Sequence, residues 1–106
     1  MLLTDKTKED FLKYYNNHSI RFLLSWTIFE DLPLVVQNAL IIEWLDSVGI
    51  IISVTYCKLS NGFDFLLYSE YYQVSSGAHT RLEATQQAIL KANEIYNNLN
   101  TKENEK

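Results

Sequence analysis

From residue 31 onward the hydrophobic positions change spacing from helical to alternating and back to helical. Asp31-Leu32-Pro33 reads as a helix start, because the Asp31 carboxylate can accept orphan backbone N–H groups and Pro33 loses no hydrogen bond in a first turn. The predicted helix runs to about Val48 and is ended by Gly49 in the left-handed conformation. Leu34, Val35, Val36, Leu40, Ile41, Trp44, Leu45 and Val48 leave it apolar on most sides, so something must cover it. The segment Ile20 to Phe29, apolar almost throughout, is the natural cover, with a partner chain as the alternative. That segment reads equally well as continued helix, a second short helix or an extended stretch.

Ile50 to Cys57 alternates like a strand, with Ile50, Ile52, Val54 and Tyr56 expected on the core face. Asn61-Gly62 predicts a tight hairpin turn, whose central residues need positive φ, and Phe63 to Ser69 follows as a second strand. Glu70 to Val74 either adds a third strand, the favoured reading, or prolongs the second; Ser75 to His79 should then break the pattern. Thr80 and Glu83 form a capping box at the start of a helix reaching about Leu99. Ala84, Ala88, Ala92, Ile95 and Leu99 line its packing face, and Gln86, Gln87, Asn93, Glu94, Asn97 and Asn98 its wet side. At the other end, Thr4 to Asn17 carries Phe11, Leu12, Tyr14 and Tyr15 at roughly helical spacing. The expected architecture is a single α+β domain over residues 1–99, in the order α-α-β-β-β-α. N-terminal helices and a long C-terminal helix pack on a short antiparallel sheet of two or three strands, and residues 100–106 form a disordered tail.

Length and composition support one core and no more: 106 residues, 47% of them hydrophobic and 13% aromatic. The aromatic load either fills that core or partly faces a partner. Charge is uneven. Between Glu30 and Ser76 six acids (Glu30, Asp31, Glu43, Asp46, Asp64 and Glu70) stand against Lys58 alone, a net of −5 within a chain of net charge −4. Such a middle repels a phosphate backbone and suits a basic protein surface, although it equally serves solubility. The lone Cys57 excludes an internal disulfide and a multi-cysteine zinc site and suits a reducing compartment. With no membrane-length apolar stretch and no apolar segment of signal-peptide type at the start, the expected location is the cytoplasm of a host cell.

Candidate chemistry is sparse. Cys57 with His79 is conceivable as a nucleophile and base, but nothing around Cys57 in the sequence favours a thiolate. His79 and Glu83, four apart, supply two metal ligands at most, and Glu83 is already used by the capping box. Gly49, Gly62 and Gly77 are scattered, which excludes a glycine-rich phosphate loop. The helix–strand–strand–strand–helix order is shared with double-stranded RNA-binding domains, yet Thr80-Arg81-Leu82-Glu83 offers one base where phosphate contacts need several. No cofactor, metal or catalytic residue is expected, and direct nucleic-acid binding is disfavoured.

Phe29-Glu30-Asp31-Leu32-Pro33, Trp44-Leu45-Asp46-Ser47-Val48-Gly49-Ile50, Arg81-Leu82-Glu83-Ala84 and Ala88 to Asn97 resemble segments of a group of small, mostly uncharacterised bacteriophage and prophage proteins, over roughly two thirds of the chain. Leu82 stands where that group leads one to expect proline, a tolerable difference in a first helical turn. The resemblance implies a shared fold and an accessory factor that binds and inhibits a host protein, as anti-CRISPR proteins do; it assigns no functional residue. The expected partner is a host defence effector with a basic nucleic-acid-binding surface, such as an RNA-guided CRISPR nuclease. The alternative is a structural or housekeeping phage protein acting as a homo-oligomer, a homodimer in the simplest case. The side chains expected on the interaction surface are Glu43, Asp46, Asp64 and Glu70, with Tyr68, Tyr71 and Tyr72 as aromatic anchors.

Overall fold

The computed structural model describes residues 1–17, 28–70 and 73–104. Helix α1 (Asp5–Asn17) is followed by a 3₁₀ turn at Phe29–Asp31 and helix α2 (Leu34–Ser47). Strands β1 (Ile51–Cys57), β2 (Gly62–Tyr68) and β3 (Gln73–Ala78) then form one antiparallel sheet in the order β1-β2-β3, and helix α3 (Arg81–Asn104) closes the chain. The fold is α+β, as the periodicity predicts. Helix α3 lies across all three strands and also packs against α1 and α2, so a single core sits between the helices and one face of the sheet.

Ala84, Ala88 and Ala92 are fully buried on α3, and their small side chains let the helix axis approach the strands closely. Opposite them Phe65 and Leu67 of β2 are buried, with Ile52, Val54 and Phe63 partly so. Much of the aromatic content closes this core and does not face outward. Phe11 meets Phe29 edge-on at 4.9 Å and Trp44 at 5.8 Å, Tyr15 meets Phe29 at 5.3 Å, and Trp44 meets Tyr96 at 5.1 Å.

The start of α2 differs from the predicted Asp31 cap. Pro33 pushes the residue before it to the extended region, where Leu32 lies (φ −71°, ψ 150°), and Pro33 is itself extended (φ −53°, ψ 145°), so the helix begins after it. The Pro33 carbonyl accepts the Gln37 N–H at 3.0 Å, and Asp31 belongs to the preceding 3₁₀ turn. Gln37 ties that turn down, its Nε2 donating to the Leu32 and Glu30 carbonyls. The end of α2 follows expectation: Gly49 is left-handed (φ 86°), its N–H reaches the Asp46 carbonyl, and the Ile50 N–H reaches the Leu45 carbonyl. The helix buries Leu40, Ile41, Trp44 and Leu45 but leaves Leu34, Val35, Val36 and Val48 exposed. Most of the proposed cover, residues 20–27, lies outside the described residues; Phe29 itself is buried.

Four further expectations are corrected. Cys57 pairs with Gly62, so Lys58 to Asn61 make a four-residue loop in which Asn61 alone is left-handed (φ 54°). Gly62 is required for another reason, since a Cβ there would sit 2.7 Å from the Ala78 carbonyl oxygen of β3. Tyr56 does not join the core: it lies at the hairpin end, half exposed, its hydroxyl donating to Asn61 Oδ1 at 2.9 Å. The stretch Ser75 to Ala78 does not break the sheet but forms most of β3, because pairing with β2 overrides its poor strand propensity. Finally, α3 passes Leu99 and continues to Asn104, since neither glycine nor proline stops it, so residues 100–104 are helical and not tail.

Asn93 and Asn97, expected on the wet side of α3, instead hold the start of α1. Asn97 Oδ1 accepts both the backbone N–H (2.9 Å) and the hydroxyl (2.7 Å) of buried Thr7, while Asn93 Oδ1 accepts the Thr4 N–H at 2.9 Å. Thr4 stands at the cap position, its carbonyl accepting the Lys8 N–H at 3.2 Å, yet the Thr7 N–H in the first turn is taken up by a side chain from the other end of the chain.

Candidate interaction surface

Strand alternation gives the sheet two unlike faces. Phe63, Phe65 and Leu67 point at α3; Asp64, Leu66 and Tyr68 point the other way. The β1–β2 register sets Ile51 across from Tyr68, Ser53 across from Leu66 and Thr55 across from Asp64. No element among the described residues covers this outer face: Ile51 and Tyr68 are each 44% exposed, and Ser53, Thr55 and Asp64 are exposed as well. The result is an apolar end at the Ile51–Tyr68 pair and a polar end at Thr55–Asp64, some 13 Å along the strand. Asp64 is the one formal charge among the described side chains of the face. Glu70 lies just beyond, exposed in the bend after β2.

The expected interface residues therefore divide. Asp64 and Tyr68 share the outer sheet face and Glu70 follows them, whereas Glu43 and Asp46 lie on α2, a different element. Glu43 is engaged internally: burial pushes the Tyr14 hydroxyl above its usual range, and the neighbouring Glu43 carboxylate, hydrogen-bonded to it, adds to that rise. Asp46 is exposed near the end of α2. Tyr71 and Tyr72 fall outside the described residues.

At the hairpin end a polar cleft of about 460 Å³ is lined by Ser60, Asp64, His79, Glu83 and Gln87, with the edges of Gly62 and Gly77. Glu83 is there because Thr80 caps α3, its hydroxyl accepting the Glu83 N–H at 3.1 Å. Cys57 has Ser60 and the Leu59 backbone, and not His79, as hydrogen-bonding neighbours; chiefly Ser60 lowers the thiol below its usual range, against desolvation and, less, the Asp64 charge. Among the described residues no three His, Cys, Asp or Glu side chains group as metal ligands. Nor is any described helix long and apolar enough to cross a membrane.

Sequence reasoning missed a second surface, an apolar groove of about 380 Å³ between α2 and the first turns of α3. Val35, Ala39 and Ile42 form one wall and Arg81, Leu82 and Thr85 the other, over the side chain of Asn38. The signal was present as a period of four and three on α2, on the side turned away from Ile41, Trp44 and Leu45, but it was merged with those core positions into one all-round apolar helix. Leu59, fully exposed at the hairpin tip, was missed because the turn was placed one step too late. No protein-family model, curated protein or solved structure matches the chain.

Proposed function

We propose that this chain is a phage-type accessory protein that acts by binding, not catalysis, and that it inhibits a nucleic-acid-handling defence effector of its host, an RNA-guided nuclease being the foremost candidate. The observation that carries the reading is the outer face of the sheet, which no described element covers: Tyr68 and Ile51 offer apolar contact at one end, with Glu70 just past Tyr68, and Asp64 offers negative charge at the other. An exposed aromatic beside carboxylates suits a protein surface rich in lysine and arginine, because the aromatic supplies contact area and the acids steer and orient the encounter. The same charges oppose a phosphate backbone, so the effector's basic channel, and not nucleic acid itself, is the fitting partner. The charge distribution of residues 30–76 and the likeness to phage-protein segments add to the reading.

The test is binding of purified, guide-loaded effector nucleases to the full chain at low and moderate salt, together with a plasmid-interference assay. An inhibitor of this kind associates with one effector, loses affinity as salt rises, and loses it again in Asp64→Lys and Tyr68→Ala. Complete target clearance in the presence of the protein counts against the reading for that effector. A salt-insensitive complex untouched by either substitution removes the sheet face as the contact.

A further inference from the structure

The sheet order β1-β2-β3 leaves one side of β1 without a neighbouring strand, and among the described residues no backbone group pairs with that side. The Val54 carbonyl shows which groups face it, since it accepts Arg81 Nη1 at 3.4 Å. Antiparallel pairing turns alternate residues toward each neighbour, so the N–H and C=O of Ile52, Val54 and Tyr56 face the open edge while those of Ile51, Ser53, Thr55 and Cys57 face β2. Open edges are ordinarily blunted by a charged side chain, a proline or a bulge. β1 has none of these: Ile51 to Cys57 is uncharged and free of proline, and it pairs one-to-one with β2 over its whole length. The other edge, β3, is a weaker strand, with Ser75, Ser76 and Gly77 at its centre. The charge that reaches the β1 edge comes from outside the strand, the Arg81 guanidinium lying 4.9 Å over the Phe63 ring as it holds the Val54 carbonyl.

We infer that two copies of this chain associate through that edge, β1 against β1 in antiparallel register about Val54, and that Arg81 holds the association in check. A row of unpaired N–H and C=O groups is completed by an extended backbone, and the strand is complementary to itself. About Val54 the register sets Ile52 of one copy against Tyr56 of the other, Ser53 against Thr55 and Ile51 against Cys57. Tyr56, which is 53% exposed in the single copy, thereby gains a β-branched neighbour, and the two hydroxyls of each Ser53–Thr55 pair meet on the outer face. Charge favours the same register. Ser47 to Cys57 carries no ionised side chain, so two copies of a chain of net charge −4 meet over a neutral strip. Lys58, exposed and in no salt bridge among the described residues, then runs past Ile51 of the second copy toward the end of its α2, where the helix carbonyls and exposed Asp46 are negative. Against this stands Arg81, which occupies the Val54 carbonyl and brings a positive charge to each side of the axis. The outer faces of the two sheets lie side by side in this arrangement, so the pairing is independent of what that face binds.

Sedimentation of the full chain and of Arg81→Ala across a concentration series tests the association. Removing the guanidinium frees the Val54 carbonyl and relieves like charge at the axis, so Arg81→Ala should dimerise at a lower concentration than the parent. Ser53→Lys combined with Thr55→Lys, at two exposed positions, sets lysine against lysine across the joint and should leave a monomer whose thermal midpoint is little changed. Register is read by Ile51→Cys. Mild oxidation should link it to Cys57 of a second copy, because the Cys57 of its own chain lies six residues along the same strand and out of reach. Adding Cys57→Ser should abolish the cross-link. An Arg81→Ala chain that stays monomeric at every concentration overturns the inference. So does a dimer that survives the two lysines, or an Ile51→Cys dimer that does not link to Cys57.

Discussion

The two faces of the sheet are made by the same strands and serve opposite ends. On the inner face Phe65 and Leu67 meet the alanines of α3, and every one of those side chains is buried. On the outer face Asp64, Leu66 and Tyr68 alternate with them along the same seven residues, and no element among the described residues covers them. Stability is drawn from one parity of the strand and the other is left exposed, so changes on the outer face should cost folding little, whatever they do to the binding proposed for it. The sharpest way to break this comparison is a matched pair of truncations. Phe65→Ala should cost about 3–5 kcal/mol in urea denaturation, as large-to-small core changes do. Tyr68→Ala should stay within about 0.5 kcal/mol of the parent. Similar losses in both would mean that the outer face is packed against something.

Next in size is the joint between α1 and α3. Asn97→Ala strips the buried Thr7 N–H of its partner and takes from the Thr7 hydroxyl the shorter of its two acceptors, leaving the Asn93 carbonyl at 3.1 Å, an expected loss of about 1–3 kcal/mol. Amide exchange at Thr7 should accelerate while exchange in β2 follows only the global change, which separates loss of a cap from general destabilisation. The contrast with Asn38 is instructive. Two half-buried asparagines on α3 are bonded on both edges to the start of α1, and one on α2, more deeply buried, is bonded on neither.

What was legible in the sequence follows from range. Signals that act within a few residues gave the right structure: Gly49 as the left-handed stop, Thr80 as the cap of α3, the alanine stripe, and the alternation of Ile50 to Val54. Expectations failed where a distant residue decided. Asn97 looks like a solvated side chain until α1 is brought beside it, and Ser75 to Ala78 look like a loop until β2 offers a ladder. Asn61-Gly62 was read as a turn pair, although what holds glycine at 62 is the carbonyl of Ala78. The candidate surface was legible only in part, because chemistry was visible while parity was not. Asp64 and Tyr68 do share a face, but acidity alone could not show that Glu43 turns toward Tyr14.

The smallest effect concerns pH, at a carboxylate that joins α1 to α3. Burial pushes the Asp10 carboxyl up, but the Tyr96 hydroxyl donating to it at 2.6 Å and the Lys6 ammonium at 3.2 Å pull it down further, so it ends below the usual carboxylate range. A folded value below the unfolded one means that the folded state favours the ionised form. The stabilisation is therefore present above the unfolded value, about pH 4, and is lost as pH falls through the folded value. The urea midpoint of the parent should drop more between about pH 6 and about pH 3 than that of Tyr96→Phe, which keeps the ring against Trp44 but removes the donor. Added salt should erode the Lys6 share, because that ammonium is well exposed, and spare the Tyr96 share. A parent profile no steeper than that of Tyr96→Phe would mean that the Tyr96 hydroxyl does not hold the Asp10 carboxylate in its ionised form.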